Sequence, residues 1–122
     1  MKVISQGDWT SEKGTTFTGN VTLERMLTAQ QEGGAALSLV RFQDGAVTNW
    51  HTHPGEQVLV VLEGQGRAGT ESETLTFRTG DVVYTPPGQR HWHGAQAGHS
   101  MAHLSFTTGG APAWDGAPDV EK

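Results

Sequence analysis

An all-β fold, a sandwich or closed barrel of short strands, is what this sequence predicts, on three observations. Apolar residues recur mostly at every second position in short runs, the period of a strand with one buried face. Clusters of Gly, Pro, Asp and Asn separate those runs at nearly even spacing. Seventeen of the 122 residues are glycine, twice the ordinary share of about 7%, which favours turns over long helices.

Taken in order, Asn20 to Glu32 contains neither Gly nor Pro, and its apolar spacing fits neither period cleanly. With Val21, Leu23 and Leu27 on one parity around Arg25, it reads as a strand ending in a short turn. Leu37 and Leu39 before Arg41 give the next strand. Leu59 and Val61 follow Gln57 on a third, and Leu75 and Phe77 lie in a Thr-rich run. Val82-Val83-Tyr84 and Met101 to Phe106 complete the set. Turns are expected at Glu32-Gly33-Gly34, Asp44-Gly45, Glu63-Gly64-Gln65-Gly66, Thr79-Gly80-Asp81, Pro86-Pro87-Gly88 and Ala97-Gly98. Asp81 after Gly80 suits side-chain bonding to its own turn. The stretch from Thr107 to Lys122 shifts to Gly, Ala, Pro and Asp and reads as a tail or loose wrap. Trp114 is its exception, expected to anchor against the body or a neighbouring subunit.

The length fits one domain, residues 1–122, near the usual domain size of about 100–150 residues. No cysteine is present, which removes disulfides, thiolate catalysis and Cys-based zinc sites. Eight basic residues stand against thirteen acidic ones, for a formal net charge of −5. The basic residues are scattered singly, so no stripe exists to neutralise phosphates; nucleic acid and anionic membrane are not expected partners. No basic-then-apolar leader and no stretch of ~20 apolar residues occurs. A cytoplasmic protein with a small-molecule substrate is the expectation. The exposed edge strands of a small barrel also suggest a homodimer.

The chemistry lies in two short strings, His51-Thr52-His53-Pro54 followed by Gln57, and Pro87-Gly88-Gln89-Arg90-His91-Trp92-His93. Successive strand side chains point to opposite faces. His51, His53 and Gln57 therefore share a parity with Leu59 and Val61, one face carrying polar groups above an apolar floor. Glu56 has the opposite parity and should point outward. His91 and His93 share a face opposed by Trp92, and Met101, His103 and Ser105 share another. Five of six histidines can thus converge; His99, beside Gly98, is expected at the surface. Trp50 and Trp92 should sit behind the site, and Tyr84 and Trp9 there or at a subunit contact. Imidazole nitrogens suit Zn, Cu, Fe and Ni, and an amide oxygen is acceptable to Mn, Fe and Zn. For His51, His53 and His91 together, metal binding outweighs the alternative of histidines bonded to backbone and water.

Gly45, His51, His53, Gln57 and Gly64 fall on G-x5-H-x-H-x3,4-E-x6-G, and Gly80, Pro86, Gly88 and His91 on G-x5-P-x-G-x2-H-x3-N. These resemble the two motifs of the cupin superfamily, and they span the core from 45 to 95. The resemblance implies a jelly-roll antiparallel β-barrel, with a metal held by His51, His53, Gln57 and His91. Gln57 stands where the family usually has Glu, and Ala95 replaces the closing Asn. A neutral carboxamide leaves one more positive charge on the metal centre than a carboxylate does. It favours Lewis-acid chemistry over oxygen activation.

The fuller strings W-H-T-H-P-x-x-Q, G-D-V-V-x-x-P-P-G-x-x-H-W-H-G-A and Met101-Ala102-His103-Leu104 are similar to a narrower group. These are the small bacterial cupins related to manganese-dependent hydroxynitrile lyases, often named after carboxymuconolactone decarboxylases. That resemblance implies manganese (with Fe, Zn or Ni as alternatives), His91 on the metal, and His93 and His103 toward the substrate as acid/base groups. It points to a metal-dependent lyase acting on a small oxygenated compound. The alternatives are a cupin dioxygenase or other oxidoreductase, and a non-enzymatic module that binds a small molecule.

Overall fold

The computed structural model describes every residue from Met1 to Lys122. Apart from one 3-10 turn at Gln6–Asp8, the regular elements are strands, all paired antiparallel. In chain order they are β1 (Thr10–Lys13), β2 (Phe17–Thr18), β3 (Val21–Leu27), β4 (Ala36–Phe42), β5 (Val47–Thr48) and β6 (His51–Thr52). There follow β7 (Gln57–Gly69), β8 (Thr74–Arg78), β9 (Val82–Thr85), β10 (Trp92–Ala95), β11 (Met101–Thr107) and β12 (Ala113–Trp114). No helix is long and apolar enough to cross a membrane.

The expected strand from Val21 is present and ends at Leu27, before a short irregular turn. Asp44 and Gly45 both have positive φ (46° and 75°), and Ala46 N–H donates to Gln43 O across them. This is the type I′ turn that an Asp-Gly pair specifies. Asp81 closes its own turn as expected, its Oδ2 accepting from Arg78 N–H at 2.9 Å.

One expectation is corrected. Glu63-Gly64-Gln65-Gly66 is not a turn between strands but the middle of β7, which runs for 13 residues. The first part of β7 pairs with β9 and β11, and the second with β8 and β10. Gly64, at φ 84°, sits where the strand changes partners. Leu62 is passed over in the pairing, because the register jumps from Ala102↔Glu63 to His103↔Val61. A bulge and a glycine together let one strand bend and serve two sheets. Local sequence signals a break at this place; only the tertiary partners show that the strand continues.

Shared β7 joins a larger sheet, β1-β3-β4-β11-β7-β9, to a smaller one, β8-β7-β10-β5-β2, and the two curl into the barrel. Val21, Val40, Phe42, Ala46, Val61, Phe77, Ala95 and Met101 fill it. Gly94 is required on β10: a Cβ there would fall 2.4 Å from Ala46 O and 2.5 Å from Val47 Cα.

The C-terminal stretch is more tied down than its composition suggests. Trp114 on β12 pairs with His51 on β6, Trp50 N–H donates to Gly116 O, and Asp115 N–H donates to Trp50 O. Arg90 adds an ion pair to Asp115 at 3.0 Å. Trp114 anchors against the chain's own body, as its isolation in a polar tail suggests.

Candidate metal centre

Strand alternation delivers the side chains as expected. His51, His53, Gln57, Leu59 and Val61 are all buried on the inner face, whereas Glu56 is exposed. His91, His93 and His103 are buried as well, and His99 is exposed. Trp92 is buried behind β10, with the Arg67 guanidinium 5.8 Å from its ring centre, and Trp50 lies under Arg90 at 4.1 Å.

Five imidazoles meet in one cluster. Ring centres of His51 lie 4.2 Å from His91, 4.9 Å from His53 and 5.3 Å from His93, and His93 lies 5.0 Å from His103. Nitrogens of His51, His91 and His93 all fall within 4.8 Å of one another, a grouping able to hold a divalent ion. His53 is not one of that trio, but its ring centre is as near, 4.9 Å from His51 and 5.5 Å from His91.

Hydrogen bonding separates the five by role. His51 Nδ1 lies 2.9 Å from Asn49 O, and His91 Nδ1 lies 2.9 Å from Gln89 O. A carbonyl only accepts, so each ring carries its proton on Nδ1, and each Nε2 presents a lone pair. Gln57 Nε2 donates to Ser105 Oγ at 3.1 Å, which turns Oε1 to within 2.9 Å of His91 Nε2. In this orientation two lone pairs face each other with no proton between them; a cation relieves that conflict, as does a half-turn of the amide that brings Nε2 to His91. His53 has both ring nitrogens buried without a partner. His93 Nδ1, by contrast, is engaged by His103 Nε2 at 3.1 Å. The donors facing the cavity therefore fit a divalent ion at His51, His91 and Gln57. His53 has more unspent capacity for the fourth position than His93.

Electrostatics agree. Burial lowers the His51 pKa to about 3, with His91 adding to the effect, and lowers His53 to about 4. His91 is lowered too, by burial. Burial first and then the neighbouring His103 take His93 well below the usual histidine value, and burial lowers His103 to about 4. All five rings are neutral near pH 7, the form in which an imidazole binds metal or accepts a proton.

A cavity of about 420 Å³ opens onto this cluster. Its inner wall includes His51, His53, Gln57, His93 and His103, and Phe17, Leu23, Val40 and Trp114 add apolar surface. Trp114 covers one side of the centre, its ring 4.4 Å from that of His51 at 34°. Ser105 was assigned to this face by parity, but its bond to Gln57 could not be read from sequence, because it joins β11 to β7 across 48 residues.

Residues 38–107 match the cupin domain family. This chain belongs to the cupin family. Among the cupins it is similar to is a protein of Granulicella tundricola named (R)-mandelonitrile lyase, 39% identical over 109 residues, covering 87% of this chain and 83% of the relative. A cupin-like protein of Thermotoga maritima is 34% identical in its crystal structure, with a TM-score of 0.79 and 87% of each chain covered. The fold is also shared with a polyketide cyclase of Streptomyces resistomycificus. Its TM-score is 0.75 at 16% identity, over 98% of this chain and 88% of that one.

Proposed function

We propose that this cupin is a metal-dependent lyase of hydroxynitrile type, joining cyanide to a small carbonyl compound and reversing the reaction. The observation that carries the reading is the convergence of buried imidazoles on one cavity, with nitrogens of His51, His91 and His93 within 4.8 Å of one another, both His53 nitrogens without a partner and Gln57 Oε1 2.9 Å from His91 Nε2. His51, His53, Gln57 and His91 are the proposed ligands, and manganese the proposed ion, with iron, zinc or nickel as substitutes. When bound, the ion supplies Lewis-acid stabilisation to a substrate oxygen. The neutral Gln57 leaves that charge undiminished, which supports lyase over dioxygenase chemistry. The relative named as a mandelonitrile lyase supports the same reaction class.

His93 and His103 do the proton work in this reading. A cyanohydrin hydroxyl gives its proton to the His93–His103 pair, the bond to the nitrile carbon breaks, and cyanide leaves with the electron pair. The returned proton makes hydrogen cyanide, and the carbonyl compound departs. Burial keeps both rings neutral near pH 7, so one can accept a proton at the start and return it at the end. The apolar wall of Leu23, Val40, Phe17 and Trp114 suits the hydrocarbon part of the substrate. Manganese-loaded protein incubated with mandelonitrile should release benzaldehyde far faster than metal-free protein. Equal rates would refute the lyase reading, and oxygen uptake by iron-loaded protein with a diketone would favour the dioxygenase.

The chain is also proposed to act as a homodimer through the outer face of the larger sheet. Leu37, Phe106, Val58 and Tyr84 form one cross-strand row there, and Leu39, Leu104, Val60 and Val82 the next. Phe106, Tyr84 and Val82 are exposed. The rows hold no charge, and polar groups flank them: the Arg41–Glu24 ion pair on one side, and Glu56, bonded to the Tyr84 hydroxyl, on the other. An apolar centre inside a polar rim is the anatomy of a protein contact. A second copy, related by a two-fold axis, presents the same rows in return.

A further inference from the structure

We propose that Ser105 is a positioning residue that holds the Gln57 carboxamide in either of two orientations, and that metal uptake is coupled to a flip of that amide. The proposal rests on the reading of His51, His53, Gln57 and His91 as ligands. A glutamine differs from a glutamate in having one end that accepts and one that donates, so it ligates a cation only in one of two orientations. With Nε2 donating to Ser105 Oγ at 3.1 Å, Oε1 is the end turned to His91 Nε2 at 2.9 Å.

That orientation suits the loaded protein only. His91 holds its proton on Nδ1 against Gln89 O, so without a cation Oε1 and His91 Nε2 repel. Rotating the amide by a half-turn removes the conflict, because Nε2 then donates to His91 Nε2. Oε1 is brought to Ser105, whose hydroxyl must donate instead of accept. Position 105 therefore needs a group that does both, and a hydroxyl does. Ser105 lies across from Leu59 on β7 and two residues beyond His103 on β11, half-buried. Its small side chain contributes little packing, so its removal is expected to be felt in Gln57 and not in the fold.

The experiment compares zinc and manganese affinity in the full chain. Ser105→Ala removes the partner that Gln57 has in both orientations, so it should leave both affinities within about threefold, since a bond lost from both states cancels in binding. In ¹⁵N-labelled protein, a Gln57 side-chain amide should show through-bond coupling to His91 Nε2 in the metal-free state, lost on adding zinc. Ser105→Ala should shift and broaden that amide signal with and without zinc, and Ser105→Thr, which keeps the hydroxyl, should restore it. No zinc-dependent change at the amide, or an amide signal unmoved by Ser105→Ala in both states, would overturn the proposal while leaving the ligand set intact. Failure of the unmodified protein to take up either metal would remove both.

Discussion

His103 Nε2 lies 3.1 Å from His93 Nδ1 inside the barrel, with no water-exposed surface on His103. Two neutral imidazoles at this distance share one proton, so the state of one ring fixes the tautomer of the other. The contact leaves His93 Nε2 and His103 Nδ1 unengaged by each other, and both rings line the cavity.

His103→Ala should therefore cut turnover of a cyanohydrin by about 10²- to 10⁴-fold, the range for losing a general acid–base partner, while changing manganese affinity less than twofold. Steady-state kinetics alongside metal titration separates the two effects. Turnover retained within threefold would show that the pair does not carry the proton.

Stability should depend on pH in a direction set by burial. His51, His53 and His103 have folded-state pKa values lowered from 6.5 to about 3, 4 and 4. Above pH 6.5 these rings are neutral in both folded and unfolded chains and add no pH dependence. Below it, the unfolded chain takes up protons that the folded one refuses, so stability falls as pH drops from 6.5 toward 4. Each ring contributes up to about 1.4 kcal/mol per pH unit across that window. Urea midpoints of metal-free protein at pH 7.5, 6 and 5 measure this; a flat profile would contradict the neutral, buried cluster.

Much of this centre is legible in the chain. The period of two alone places His51, His53 and Gln57 with Leu59 and Val61 on the inner face, and the burial of all five follows from it. Asp44-Gly45 specifies its turn by needing two positive φ values. What sequence conceals is long-range. Gly64 looks like a turn because bending and reversing use the same residue types, and only pairing with β8 and β11 distinguishes them. The second apolar face of the larger sheet is equally hidden, since Val58, Val60, Val82 and Tyr84 join a patch only once their strands are adjacent.

Trp114 provides an optical reporter of the centre. Its ring lies 4.4 Å from His51 and edge-on to Phe17 at 6.3 Å. Manganese should quench tryptophan emission, and Trp114→Phe should remove most of that quenching. The same variant should cost about 1 kcal/mol in urea unfolding, because a half-exposed aromatic loses part of its buried area. Undiminished quenching in Trp114→Phe would place the ion elsewhere.

Light scattering tests the assembly. The unmodified chain should run as a dimer, and Phe106→Glu should yield a monomer with the metal affinity of the parent, since the change falls on the outer face. A monomer before mutation, or a dimer after it, would discard the outer-face contact.

Anomalous diffraction from a manganese-soaked crystal is the most direct measurement of all. A single peak bounded by His51 Nε2, His91 Nε2, a ring nitrogen of His53 and Gln57 Oε1 is the predicted result. A peak at His93 without Gln57, or none among the five rings, would contradict the metal centre on which the proposed chemistry depends.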